Sequence, residues 1–173
     1  MAANYLDSAR RLFTSYKSLG EKAIAQLKDP DLNIQRNEDS NSIAIIVKHL
    51  HGNMLSRWTD FLYSDGEKPW RNRDQEFEGV INNKEELLKL WNAGWKCLFD
   101  TLNTLKEEDL DKKVFIRHEE QTALDAINRQ LAHYSYHIGQ IVFLAKELKG
   151  GGWISLSIPK NKSQEFNNEK LGK

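Results

Sequence analysis

The sequence predicts an all-α fold: a four-helix bundle running up-down-down-up, with a long crossover between its second and third helices. Three observations lead there. Four segments carry apolar residues at helical spacing. The chain has only three prolines, Pro30, Pro69 and Pro159, and all fall between or after those segments. The second link is about eighteen residues, long enough to run the length of a bundle, so that helix three points the same way as helix two.

The first helix is expected from about Asn4 to Lys28. Tyr5, Leu12, Tyr16, Leu19, Ala23 and Leu27 mark one face, and Asp29-Pro30-Asp31 stops it. The second is expected from near Ser40 to near Ser64, with the run Asn37–Asn41 offering N-caps and Ile43, Val47, Leu50, Met54, Arg57 and Phe61 as its seam. The third runs from about Asn83 to Leu105. Asn83 caps it, and Glu85 and Glu86 suit the positive end of the helix dipole. Its apolar face takes Leu87, Leu90 or Trp91, Gly94 or Trp95, Leu98, Leu102 and Leu105. The fourth opens on Thr122-Ala-Leu-Asp125, a capping box with Asp in place of Glu. It continues through Leu124, Ile127, Leu131, Tyr134, Ile138, Ile141, Ala145 and Leu148, and Gly150 ends it. Between the third and fourth helices, Val114-Phe115-Ile116 reads as a short strand or a lid. The bundle is expected as one domain over residues 1–155. The tail, 156–173, packs on it or frays from it, with 168–173 frayed and Trp153 and Ile154 folded back.

Composition excludes several functions. The 173 residues include 25 Lys plus Arg against 25 Asp plus Glu, so the formal net charge is zero and no nucleic-acid partner is expected. No run approaches the roughly 18 apolar residues of a membrane span, so no membrane partner is expected either. Met1–Tyr5 shows no basic or apolar leader pattern, and the single cysteine, Cys97, cannot staple a fold; a cytoplasmic address follows. Gly150-Gly-Gly-Trp153 lacks the ending of a phosphate loop and reads as a helix stop.

Five histidines occur, and two of them, His133 and His137, are four apart in the fourth helix. That spacing puts both imidazoles on one face, one turn apart, where they can share a metal ion or flank a core as hydrogen-bonding residues. The second helix offers His49 and His51. Being two apart they point about 200° from each other, so only one can join the pair. His49 precedes a seam residue as His133 and His137 do. In antiparallel neighbours, corresponding flanks meet, which favours His49 over His51. Gln140 lies where it can support a ligand histidine, and the acidic and basic crossover 65–78 holds Glu67, Arg71, Arg73, Asp74 and Glu76 as an ion-paired loop or a substrate clamp. His118, among charged neighbours, reads as solvated, and Cys97 as a small packing residue.

The order of these features resembles a known family. Ile45-Ile-Val-Lys-His49-Leu50 is followed by Asn53-Met-Leu-Ser-Arg57-Trp58, then by Asp65-Gly-Glu-Lys-Pro-Trp-Arg-Asn-Arg73-Asp-x-Glu76-Phe77. His133-Tyr-x-Tyr-His137-Ile-Gly-Gln140 and Ser157-Ile-Pro-Lys160-x-Lys-Ser163-x-Glu-Phe-Asn167 complete the set. Together they resemble the DinB-like superfamily, and within it the DUF1572 branch. The resemblance implies a metal held by His49, His133 and His137, with zinc or nickel foremost and iron or manganese as alternatives. It also implies a homodimer and kinship with metal-dependent transferases of small thiols such as bacillithiol and mycothiol. Three function classes stay open: a metal-dependent thiol transferase or hydrolase acting on a small electrophile, a non-catalytic metal-binding or stress-related interaction protein, and a bundle with structural histidines. No catalytic residue is assigned beyond the ligands.

Overall fold

Four long helices, one short helix and a two-stranded hairpin make up the computed structural model, which describes residues 4–172. Met1–Ala3 and Lys173, and with them the readings made there, lie outside the described residues. Helix α1 spans Tyr5–Ala25, and the Asn4 side chain caps it by accepting from the Asp7 amide at 2.9 Å. Helix α2 spans Ile43–Trp58, α3 Lys84–Thr104 and α4 Ala123–Lys149; a fifth, α5, spans Ser163–Lys170. Asn83 and Thr122 cap α3 and α4, and Gly150, at φ 58°, ends α4 in a conformation that glycine adopts without strain.

Two helices depart from the pattern read in the sequence. The buried face of α1 is Leu6, Ala9, Phe13, Gly20, Ala23 and Ile24; of the expected stripe Ala23 and, just past the helix, Leu27 are buried, Tyr5, Tyr16 and Leu19 are half-buried, and Leu12 is exposed. The helix carries apolar residues on two adjoining stripes, and the one bearing Phe13 is the one that other helices cover. Helix α2 is shorter than expected at both ends. Ser42, not the run before it, provides the cap, with its Oγ accepting from the Ile45 amide at 3.2 Å. The helix stops at Trp58 because Thr59 is extended and Asp60 is left-handed at φ 50°. Phe61 keeps its place in the apolar rhythm by folding back to stack on Trp58, with ring centroids 5.2 Å apart. The crossover therefore starts at residue 59, and a 3₁₀ turn at Asp74–Phe77 lies against α2.

Helix α2 packs mainly on α3, and α1 on α4. Contacts between them keep a steady order. Gly94 meets His51 and Met54, and Thr101 donates to the Trp58 carbonyl at 2.8 Å, so numbers rise together in α2 and α3. A Cβ on Gly94 would lie 3.0 Å from the Met54 sulfur, which is why the two helices approach so closely there. Tyr5 bonds Asn128 and Gly20 lies against Ile138, so numbers also rise together in α1 and α4. Between α2 and α4 they run in opposite order: His49 faces His137, and Asn53 faces Tyr134.

The core joins all four long helices. Phe13, Trp58, Trp91, Trp95 and Tyr134 are nearly or wholly buried there. Tyr134 holds α2 and α4 together: its hydroxyl accepts from Trp58 Nε1 at 3.0 Å and donates to Asn53 Oδ1 at 3.0 Å. The segment 113–122 is a hairpin, with β1 (Lys113–Ile116) antiparallel to β2 (Glu119–Thr122) in the register Lys113↔Thr122. Its turn residues, Arg117 and His118, both have positive φ, at 56° and 64°. Asp65 of the crossover accepts their two amides at 2.8 and 2.7 Å, and so ties the hairpin to the start of the crossover. The tail is more ordered than expected: α5 covers Asn168–Lys170, where fraying is the sequence expectation. Trp153 packs on the core, whereas Ile154 is held only by its backbone, to Gln26, with an exposed side chain.

Candidate metal centre

His49 stands midway along α2, and His133 and His137 stand one turn apart on α4. Because the two helices run in opposite order, one histidine of α2 meets both of α4. A ring nitrogen from each of the three lies within 4.8 Å of the other two. His49 Nε2 and His133 Nε2 are 3.3 Å apart. Zinc–imidazole bonds of about 2.0–2.1 Å in a tetrahedron put neighbouring nitrogens about 3.3 Å apart, so the pair has the separation an ion needs. His51 is not in the group; its backbone lies against Gly94 of α3.

The other nitrogens of two of the rings are engaged. His49 Nδ1 donates to Glu76 Oε2 at 2.9 Å, and His137 Nδ1 to Gln140 Oε1 at 2.7 Å. Both bonds leave Nε2 as the lone-pair nitrogen turned toward the group. Gln140 thus occupies the supporting position read from the sequence. Glu76 does not act alone: Arg71 clamps it with two bonds, Nε to Oε1 at 2.7 Å and Nη2 to Oε2 at 2.9 Å. Gly52 makes room for it. A Cβ at that position would lie 2.1 Å from Glu76 Oε1, so only glycine lets the carboxylate rest against α2 beside His49.

Protonation favours metal binding. Burial, followed by the charge of His137 and His49, pushes His133 down to about 3. Burial also pushes His137 down to about 4, against the opposing effect of its bond to Gln140. Both are neutral imidazoles at pH 7, the form a metal ligand requires. Glu76 is raised by burial but lowered more by His49 and Arg71, so it stays a carboxylate.

A cavity of about 410 Å³ adjoins the group. His49 and His133 form part of its wall, together with Asn53, Tyr136 and a set of arginines. Cys97 lies elsewhere, on α3 with its sulfur 3.7 Å from the Thr59 hydroxyl; burial raises its pKa and keeps it a thiol. His118 is fully exposed at the hairpin tip and belongs to no site.

In the sequence Glu76 is one of several crossover charges, with nothing in the crossover itself to set it apart. Its role depends on the 3₁₀ turn that brings it to α2. The one local signal was Gly52, an otherwise unfavourable residue in the middle of a helix. Gln130, a buried residue on the cavity wall, carries no sequence signal because it falls between seam positions.

Fold and site define a mostly helical protein in which three convergent histidines can hold a metal ion. The sequence profile of the family described as "Protein of unknown function (DUF1572)" matches residues 1–162, and the chain belongs to that family. No curated protein matches it. Among the described residues, no helix is long and apolar enough to cross a membrane.

Proposed function

We propose that this chain is a divalent-metal enzyme of DinB-like architecture that activates a small thiol for transfer to an electrophile. The observation that carries the reading is the convergence of three imidazoles beside an open cavity, each of two held in its orientation by a partner on its far nitrogen. A structural zinc site uses four protein ligands, whereas three histidines leave positions for a reactant. The order of contacts between the helices supports an up-down-down-up four-helix bundle over residues 1–155, the architecture that the helical spacing and the long crossover predict. Zinc or nickel suits an all-imidazole set; iron or manganese is the alternative.

His49, His133 and His137 hold the ion in this reading. When bound, the ion supplies a Lewis acid that lowers the pKa of a water or thiol beside it. The chain's residues do the rest. Glu76 and Gln140 fix the tautomers, and Arg71 keeps Glu76 in place and charged. Tyr136 lies along one edge of the histidines, its ring centroid 4.4 Å from that of His137. Since Cys97 is remote and protonated, the thiol comes from a cosubstrate. A cytoplasmic homodimer completes the proposal, in line with the resemblance.

The test is thiol consumption with a panel of low-molecular-weight thiols and a halogenated aromatic electrophile, using the metal-loaded protein. Turnover that disappears in His137→Ala supports the transferase. Hydrolysis of an activated ester that depends on His137, without thiol consumption, assigns the site to hydrolysis instead. Neither activity, in a protein that binds the ion, leaves a non-catalytic metal protein.

A further inference from the structure

Five arginines line the cavity beside the histidines: Arg57 from α2, Arg71 and Arg73 from the crossover, Arg117 from the hairpin and Arg129 from α4. No carboxylate is among its lining residues. Two carboxylates serve three of the arginines from behind. Glu67 is shared by Arg57 and Arg117, at 3.2 and 2.9 Å, and Glu76 is clamped by Arg71. Arg73 lies over the Phe77 ring, 5.1 Å from its centroid, and Arg129 projects from α4. Among the described residues neither forms an ion pair. Five cations against two anions leave an excess of three positive charges at one cavity, in a chain whose net charge is zero. Segregation of that size raises the local concentration of anions and aims them at the cleft.

A second observation points to a ligand. Gln130 is 3% exposed and lines the same cavity, yet its buried Oε1 has no hydrogen-bond partner. A buried acceptor without a donor is costly, and none of the described residues supplies one. Arginine forks donate to anionic oxygens, and the amide oxygen of Gln130 accepts an O–H or N–H.

We infer that this cavity is the recognition subsite for a small anionic substrate, in which Arg73 and Arg129 bind a carboxylate or phosphate group and Gln130 accepts a hydrogen bond from a donor next to it. Arg129 precedes His133 by one turn on the same face of α4, about 6 Å along the helix axis, so an anion bound there lies beside the histidine group. Arg71 is engaged with Glu76, which leaves the clamp to Arg73 and Arg129. The placement of the substrate's reacting end rests on the metal-centre reading; anion binding itself does not.

The test is calorimetric titration of the full chain, both stripped of metal by chelation and metal-loaded. Two pairs of probes differ by a hydroxyl: inorganic phosphate against sulfate at pH 7, and lactate against propionate. Phosphate or lactate is expected to bind the stripped protein, and its hydroxyl-free counterpart about tenfold more weakly. Arg129→Gln and Arg73→Gln are each expected to weaken binding about tenfold. Gln130→Leu is expected to remove the difference within each pair, and Lys89→Gln, on the exposed face of α3, to change nothing. Preference for phosphate identifies a phosphorylated substrate, and preference for lactate a hydroxycarboxylate. Binding that appears only with metal present, or that is unchanged in both arginine variants, overturns the subsite. Loss of metal binding alone, with anion binding intact, overturns the metal-centre reading and leaves this one standing.

Discussion

Glu76 does more at this site than its position in a charged loop would indicate. Its carboxylate orients His49 and is itself fixed by Arg71, so a change of one atom is felt at the histidine group. Glu76→Gln keeps an acceptor for His49 but removes the charge and half of the arginine clamp. Metal affinity is expected to fall about 10- to 100-fold, measured by competition with a chromogenic chelator. Gly52→Ala attacks the same bond from the helix side, since the new Cβ occupies the place of Glu76 Oε1. It is expected to weaken metal binding by a similar factor while helix content by circular dichroism is unchanged, alanine being the better helix former. The histidines themselves were legible in the sequence, because the i, i+4 pair and the flank of His49 are local properties of two helices. Glu76 was not singled out, because its place depends on how a loop folds back, which no periodicity reports.

At the scale of elements, the crossover and the hairpin act as one unit. Asp65 accepts the amides of Arg117 and His118 as well as that of Glu67, and the Gly66 amide donates to the Phe115 carbonyl at 2.7 Å. Asp65→Ala is expected to lower stability by about 1–2 kcal/mol in urea unfolding, through the loss of these bonds at a turn with two left-handed residues. The same contacts give a pH dependence of known sign. Burial raises the Asp65 carboxyl, but the three amides outweigh it, so its pKa is lower in the folded chain than in the unfolded one. Its contribution is present above the unfolded value and is lost as pH falls through the folded value; wild type and Asp65→Ala should converge in stability below it. The caps of α3 and α4 could be read residue by residue, since each uses a side chain next to its helix. The end of α2 could not. Phe61 preserves the helical rhythm after the helix has stopped, and the turn at Asp60 that allows this carries no proline or glycine. The pairing of β1 with β2 was half visible, in the apolar Val114–Ile116; its partner Glu119–Thr122 is polar and earns its place by register alone.

Over the whole molecule, the helix order decides the site. Antiparallel contact between α2 and α4 sets His49, Asn53 and Arg57 along one wall and His137, His133 and Arg129 along the other. His49 and His133 then share the cavity wall with Arg57 and Arg129. An ion that binds only the folded chain adds stability by mass action. At a hundredfold excess over Kd, the melting temperature is expected to rise by about 5–10 °C, and not at all in His137→Ala. The most direct measurement is the metal content of tag-free protein by elemental analysis, for wild type beside His49→Ala and His51→Ala. About one zinc or nickel per chain in wild type and His51→Ala, and none in His49→Ala, is the expected result. Metal retained without His49, or no metal in wild type after reconstitution, would contradict the account.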